Sequence, residues 1–150
     1  MLDHPYDAVG VSGSGGLSSR KETPESVSAR YGEALAAQPQ RPVSYQVYFE
    51  TGQDEISLES QGVIAQIKAD ILKRSAPDII IVGHTDRVGS VEANDALSLQ
   101  RAGVVRDILL AGGISVLHIE VAGRGEREPL VATEDEVAEA RNRRVEIIVR

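Results

Sequence analysis

The chain has 150 residues, 41% hydrophobic and 26% charged, which suits one ordinary globular domain with a real core. Its net charge of −7, with four tyrosines, one phenylalanine and no tryptophan, argues against nucleic acid or anionic lipid as a general partner and against a base-stacking surface. Cysteine is absent, which excludes disulfide and thiolate chemistry, and no apolar run approaches the roughly 20 residues that span a bilayer.

The opening "MLDHPYDAVG" carries neither the basic start nor the apolar centre of an export signal, so the chain reads as cytoplasmic or as lacking an export segment. Residues 1–24 are rich in Gly and Ser around "VSGSGGLSS". They read as a flexible leader, or as a short hairpin in which "AVGV" is a strand before a glycine turn. "PESVSARYGEALAA" predicts a short helix from about Pro24 to Ala37, and "QPQRP" then breaks the chain. Residues 1–40 are therefore read as a leader with a short helix or hairpin, and 41–150 as the main domain.

From Ser44 the patterns strengthen. "SYQVYFE" alternates and predicts a strand. Ser57 as N-cap, with Glu59 in the first turn, starts a helix whose stripe is Ile64, Ile67, Ile71 and Leu72, and Pro77 closes it. "DIIIVGH" is a continuous apolar run that suits a strand covered on both faces. Ser90 and Glu92 start a second long helix that Gly112-Gly113 stop. "HIEVAGR" predicts a third strand, Thr133 and Glu136 a capping box for a short helix through about Asn142, and "RVEIIVR" a fourth strand. The order β-α-β-α-β-(short α)-β implies an α/β sandwich, a mixed sheet with helices packed on it.

One cation is out of place in this pattern. At about 100° per residue, Leu97, Val104, Val105 and Ile108 share an arc of the second helix, and Arg101 and Asn94 lie inside it. A buried guanidinium needs a carboxylate. The preceding strand ends in "GHTDRVGS", and its Asp86 leaves at the carboxyl end of the strand, where α/β folds gather ligands. Asp86 and Arg101 either pair with each other or stand apart and clamp a zwitterion, with its carboxylate on Arg101 and its ammonium on Asp86.

At these residues the sequence resembles the OmpA-like peptidoglycan-binding domain, the type found in OmpA C-terminal, Pal and MotB proteins. "VYFETGQDEIS", "VGHTDRVGS", the set Asn94, Leu97, Ser98, Arg101 and Ala102, "GRGEREP" and "RNRRVEI" occur in fixed order from Val47 to Arg150, about two-thirds of the chain. The resemblance implies non-covalent binding of the cell-wall stem peptide through diaminopimelate, whose free end is a zwitterionic amino acid. It places the clamp on Asp86 and Arg101, a polar pocket contact on Asn94, pocket lining on Thr85 and Leu97, and a weaker contact on Arg143. The chain departs from the family's aromatic-and-acid pattern after the first strand, reading Phe49-Glu50-Thr51-Gly52, so that rim is expected to stack less and carry less charge. Residues 28–52 also resemble the segment before the domain in some outer-membrane lipoproteins. That reading implies a periplasmic, outer-membrane-associated protein whose only membrane attachment is a lipidated cysteine missing from this chain. An arbitrary linker is the alternative.

Two other classes compete with this reading. His84, Asp86 and His118 suggest a metal-dependent hydrolase, but no compact ligand set, nucleophile elbow or phosphate loop accompanies them. A protein-interaction scaffold that does not touch the wall is the second. The expected protein is a binding module, not an enzyme, with no cofactor and no metal.

Overall fold

The computed structural model describes residues 2–38, 40–49, 56–114 and 118–150. The chain divides into two compact units, residues 1–39 and 40–150.

In the first unit, β1 (Asp7–Val11) pairs antiparallel with β2 (Leu17–Lys21). Gly15, at φ +82°, makes the turn between them, a left-handed conformation that glycine adopts without strain. The Gly/Ser-rich stretch thus forms the hairpin. Helix α1 (Pro24–Ala36) starts at a reciprocal cap, in which Thr23 accepts from the Ser26 amide and Ser26 accepts from the Thr23 amide. Pro24 follows at the first helical position, where its missing N–H is not needed.

The second unit runs β3 (Val43–Tyr48), α2 (Leu58–Ile71), β4 (Asp78–Gly83), α3 (Val91–Ala111), β5 (His118–Gly123), one turn of 3-10 helix (Ala140–Asn142) and β6 (Arg144–Val149). The sheet order is β3-β6-β4-β5, with β4 parallel to β5 and β6 antiparallel to both its neighbours. Strands β3, β4 and β5 therefore share a direction, and the two crossovers step across the sheet in the same sense. Crossovers of one hand then carry α2 and α3 to the same face. There Ile64, Ile67 and Ile71 of α2 and Ala102, Val105 and Leu109 of α3 meet Val47, Ile79, Ile81, Val145, Ile147 and Val149 of the sheet.

This one-sided arrangement corrects the two-faced burial expected for β4. Ile79, Ile81 and Gly83 are buried, whereas Ile80 and Val82 are half-buried on the face without helices. Leu72, assigned by spacing to the α2 stripe, is instead the C-cap residue and 76% exposed.

The buried line of α3 is also rotated from the predicted stripe. It runs through Asn94, Ser98, Arg101, Ala102, Val105 and Leu109, with Leu97, Val104 and Ile108 only half-buried. The cause lies in the sheet. Gly83 and Gly123 are register partners on β4 and β5. A Cβ on Gly83 would lie 1.9 Å from the Ser98 carbonyl oxygen, and one on Gly123 would lie 2.6 Å from the Ser98 hydroxyl and 2.7 Å from the Leu99 nitrogen. The helix backbone sits directly on this glycine pair, so small residues occupy the centre of its contact face. Ser98 Oγ donates to the Asp95 carbonyl and accepts from the Gly125 amide, which satisfies the hydroxyl inside that contact.

The short helix expected over residues 133–142 shrinks to the single 3-10 turn. Glu136 takes φ +57°, its amide donates to the Arg87 carbonyl, and its carboxylate accepts from the Gly89 amide. The Thr133 carbonyl accepts from Arg87 Nη1. These groups secure the loop after β4 instead of capping a helix.

Asn142, fully buried, completes this segment. Its Oδ1 accepts from the Val131 amide at 2.9 Å and its Nδ2 donates to the Val131 carbonyl at 2.8 Å, as a strand neighbour would. Asn142→Ala leaves both Val131 groups unpaired. The expected loss is about 3 kcal/mol, read as a lower urea midpoint at unchanged m.

Candidate functional site

Parallel β3 and β4 end at one edge of the sheet, and antiparallel β6 begins there. Phe49, Asp86 and Arg143 are delivered to that edge by the topology alone. The chain leaving β4 is pinned from both sides. The His84 amide donates to the Arg144 carbonyl, and the Thr85 amide donates to the Gly125 carbonyl, each at 2.9 Å.

Asp86 is 7% exposed. Its Oδ2 accepts from Arg143 Nη1 at 2.8 Å and from the Glu139 amide at 3.3 Å. Both bonds fall on the same oxygen, and among the described residues Oδ1 accepts none. Of the two arrangements left open for Asp86, the ion pair it makes is with Arg143 rather than Arg101. Arg143 therefore holds the carboxylate by one corner and leaves the other corner uncommitted.

Arg101 is buried, at 6% exposure, and its guanidinium carbon lies 5.4 Å from the centre of the Phe49 ring. That is within range of a cation–π contact. Helical side chains tilt toward the helix N-terminus, which for α3 is the end nearest the carboxyl edge of β4. Residues 50–55, where the departure from the family's rim pattern falls, lie outside the described residues.

Asn94 is bonded to the loops on either side of it. Its Nδ2 donates to the Val88 carbonyl at 3.2 Å and to Glu126 Oε2 at 2.6 Å, tying the first turn of α3 to the segment after β5. Thr85 is buried, and its hydroxyl has no hydrogen-bond partner among the described residues. Leu97 is half-buried at the margin of the α3 contact face. A cavity of about 440 Å³ lies beside Arg87, Val91, Glu126, Arg127 and Pro129. None of Asp86, Arg101 and Arg143 lines it.

The histidines weighed as metal ligands are far apart. His118 Nδ1 pairs with Asp78 at 2.9 Å, at the start of β4, whereas His84 follows its end. Six strand residues separate them by roughly 20 Å. Asp78 also accepts from Arg150 Nε at 2.7 Å. The Arg150 and His118 contacts hold its carboxyl below the usual range.

Residues 48–143 match the OmpA family. The chain belongs to the OmpA family. It is 34% identical over 100 residues to the peptidoglycan-associated lipoprotein of Pseudomonas aeruginosa, covering 67% of this chain and 59% of that protein. It is 43% identical over 83 residues to the peptidoglycan-binding protein ArfA of Mycobacterium bovis, covering 54% of this chain and 25% of that one. The crystal structure of the peptidoglycan-associated lipoprotein from Burkholderia pseudomallei superposes with a TM-score of 0.63 at 28% identity, over 70% of this chain and 89% of that one. The chain thus spans 59% of the length of the first relative and 25% of that of the second.

Within this OmpA-family domain, sequence reasoning missed four contributors. Glu139 reaches Asp86 through its backbone amide, which no side-chain pattern encodes. Glu126 as partner of Asn94, and Asn142 as a clamp on Val131, depend on loop paths without periodicity. Phe49 beneath Arg101 was legible in part, as the chain's only phenylalanine at the end of a predicted strand.

Proposed function

We propose that residues 41–150 bind peptidoglycan non-covalently through the diaminopimelate of the stem peptide, and so anchor the outer membrane or an envelope complex to the cell wall. The observation that supports this most is the state of Asp86. It is a buried carboxylate that the described residues tether through Oδ2, with Oδ1 turned to receive an ammonium. Arg101, seated on Phe49 near the same sheet edge, takes the ligand carboxylate. Thr85, Asn94 and Leu97 shape the surroundings, and Arg143 positions Asp86. The names of the relatives, a peptidoglycan-associated lipoprotein and a peptidoglycan-binding protein, agree with this chemistry. In the whole protein the domain works in the periplasm beside the outer membrane.

One small zwitterion buries little surface, so affinity per site is modest. The test is calorimetric titration of diaminopimelic acid into the protein, beside co-sedimentation with purified peptidoglycan. Heat together with sedimentation supports the reading. Sedimentation without heat assigns recognition to a longer stem peptide. Neither signal returns the domain to the class of protein-interaction scaffolds.

A further inference from the structure

Beneath the Asp86–Arg143 pair lies a second, unusual pair. Gly83 and Val145 are register partners in the β4–β6 ladder, so the next rung sets His84 directly opposite Arg144. The His84 amide bonds the Arg144 carbonyl across that rung. Residues directly opposite in an antiparallel ladder project to the same face and stand close together. Both are buried, His84 at 1% exposure and Arg144 at 6%.

Among the described residues, neither makes an ion pair with a carboxylate. Arg144 Nη2 donates to the Glu128 carbonyl at 3.3 Å, while its Nε and Nη1 have no hydrogen-bond partner among the described residues. Nor does either ring nitrogen of His84 have one. The charged groups acting on His84 are Arg144 and Glu146 of β6, and Arg124 and Glu128 of the segment after β5. Burial is the largest influence and Arg144 the next. Together they hold the ring below the usual histidine range, against the weaker opposing pull of the two glutamates. His84 is therefore neutral near pH 7, and gaining a proton puts two like charges on one buried rung.

We propose that the His84–Arg144 rung is an acid-sensitive latch on the ligand site. Protonation of His84 forces the ends of β4 and β6 apart, separates Asp86 from Arg143 one step further along, and releases the bound zwitterion. The latch rests on the proposed binding function for its consequence, but its movement is measurable without ligand.

The sign follows from linkage. A histidine whose folded value is depressed contributes stability that is present above its unfolded value near 6.5 and lost as pH falls toward the folded value. Diaminopimelate affinity is followed from pH 7.5 to 5 in the parent, in His84→Gln and in Arg144→Met. Once His84 titrates, the parent is expected to lose about tenfold per pH unit. Both variants should stay nearly flat, because each removes one member of the repelling pair. Equal slopes in the parent and His84→Gln overturn the latch.

A second measurement needs neither ligand nor variant. The His84 ring resonance and the Glu139 amide resonance of the parent are titrated together. Coincident midpoints support the latch. A ring that titrates while the Glu139 amide stays unmoved overturns it, as does a ring that stays neutral until the protein unfolds. Should the parent bind no diaminopimelate at any pH, the binding function fails, and this titration still decides the latch.

Discussion

Arg101→Met is expected to lower diaminopimelate affinity at least about thirtyfold, with a thermal melt beside the titration to show that the variant is folded. The two readouts separate a residue that holds a ligand from one that holds the fold. Removing one partner from a desolvated charge contact at an interface costs 2–5 kcal/mol or more. Removing one member of a buried ionic contact also lowers stability, so affinities are compared at a temperature where the variant is fully folded. Methionine keeps a favourable contact with the Phe49 ring beneath it. Asp86→Asn should lose binding to a similar degree, because the uncharged amide no longer balances an ammonium. Arg143→Met should lose less, since Arg143 touches only Oδ2 of Asp86 and the Glu139 amide continues to hold that oxygen. Arg101→Met that folds and binds as the parent does sinks the clamp.

The largest stability effect is expected at the glycine seat of α3. Gly83→Ala places a methyl group 1.9 Å from a backbone carbonyl oxygen, and neither strand β4 nor the helix can yield locally. Overpacking of this kind costs about 3 kcal/mol or more, a fall in Tm of about 10–20 °C for a domain of this size. Gly103→Ala, on the same helix, should do the opposite. Its added Cβ meets nothing within 4 Å, so the change removes only the entropy that glycine spends in a helix. A gain of up to about 1 kcal/mol follows. Thermal melts of the two variants side by side check both signs. Similar behaviour in the two would show that close helix–strand contact is not what Gly83 provides.

These glycines also show how far the sequence could be read. The alternation around Val47, the apolar run Ile79–Val82 and the caps Ser57 and Ser90 are local signals, and the elements form where those signals place them. The stripe of α3 was read from the helix alone, which gave weight to Leu97, Val104 and Ile108. The seat that rotates the helix toward Ser98 and Ala102 belongs to β4 and β5. Strand glycines at Gly83 and Gly123 are the signal for such an approach, but only after the pairing of the two strands is known. Thr133 and Glu136 had the right spacing for a helix cap. Their polar groups went instead to Arg87 and Gly89, dozens of residues away, where no local pattern could point. In the candidate site, Asp86 and Arg101 stood out because charge at a buried position is costly. The Asp86–Arg143 contact did not, since it depends on β6 entering the sheet beside β4.

The position of β6 has a further consequence. The strand formed last in the sequence lies in the interior of the sheet, between β3 and β4, with α2 and α3 both resting partly on it. A chain emerging amino-end first, from a ribosome or through a translocation pore, cannot join its early strand to the rest until Arg144–Val149 is out. Until then, the partial sheet is two separate pieces with unpaired edges. The domain thus stays open while its chain emerges and closes in one late, long-range step.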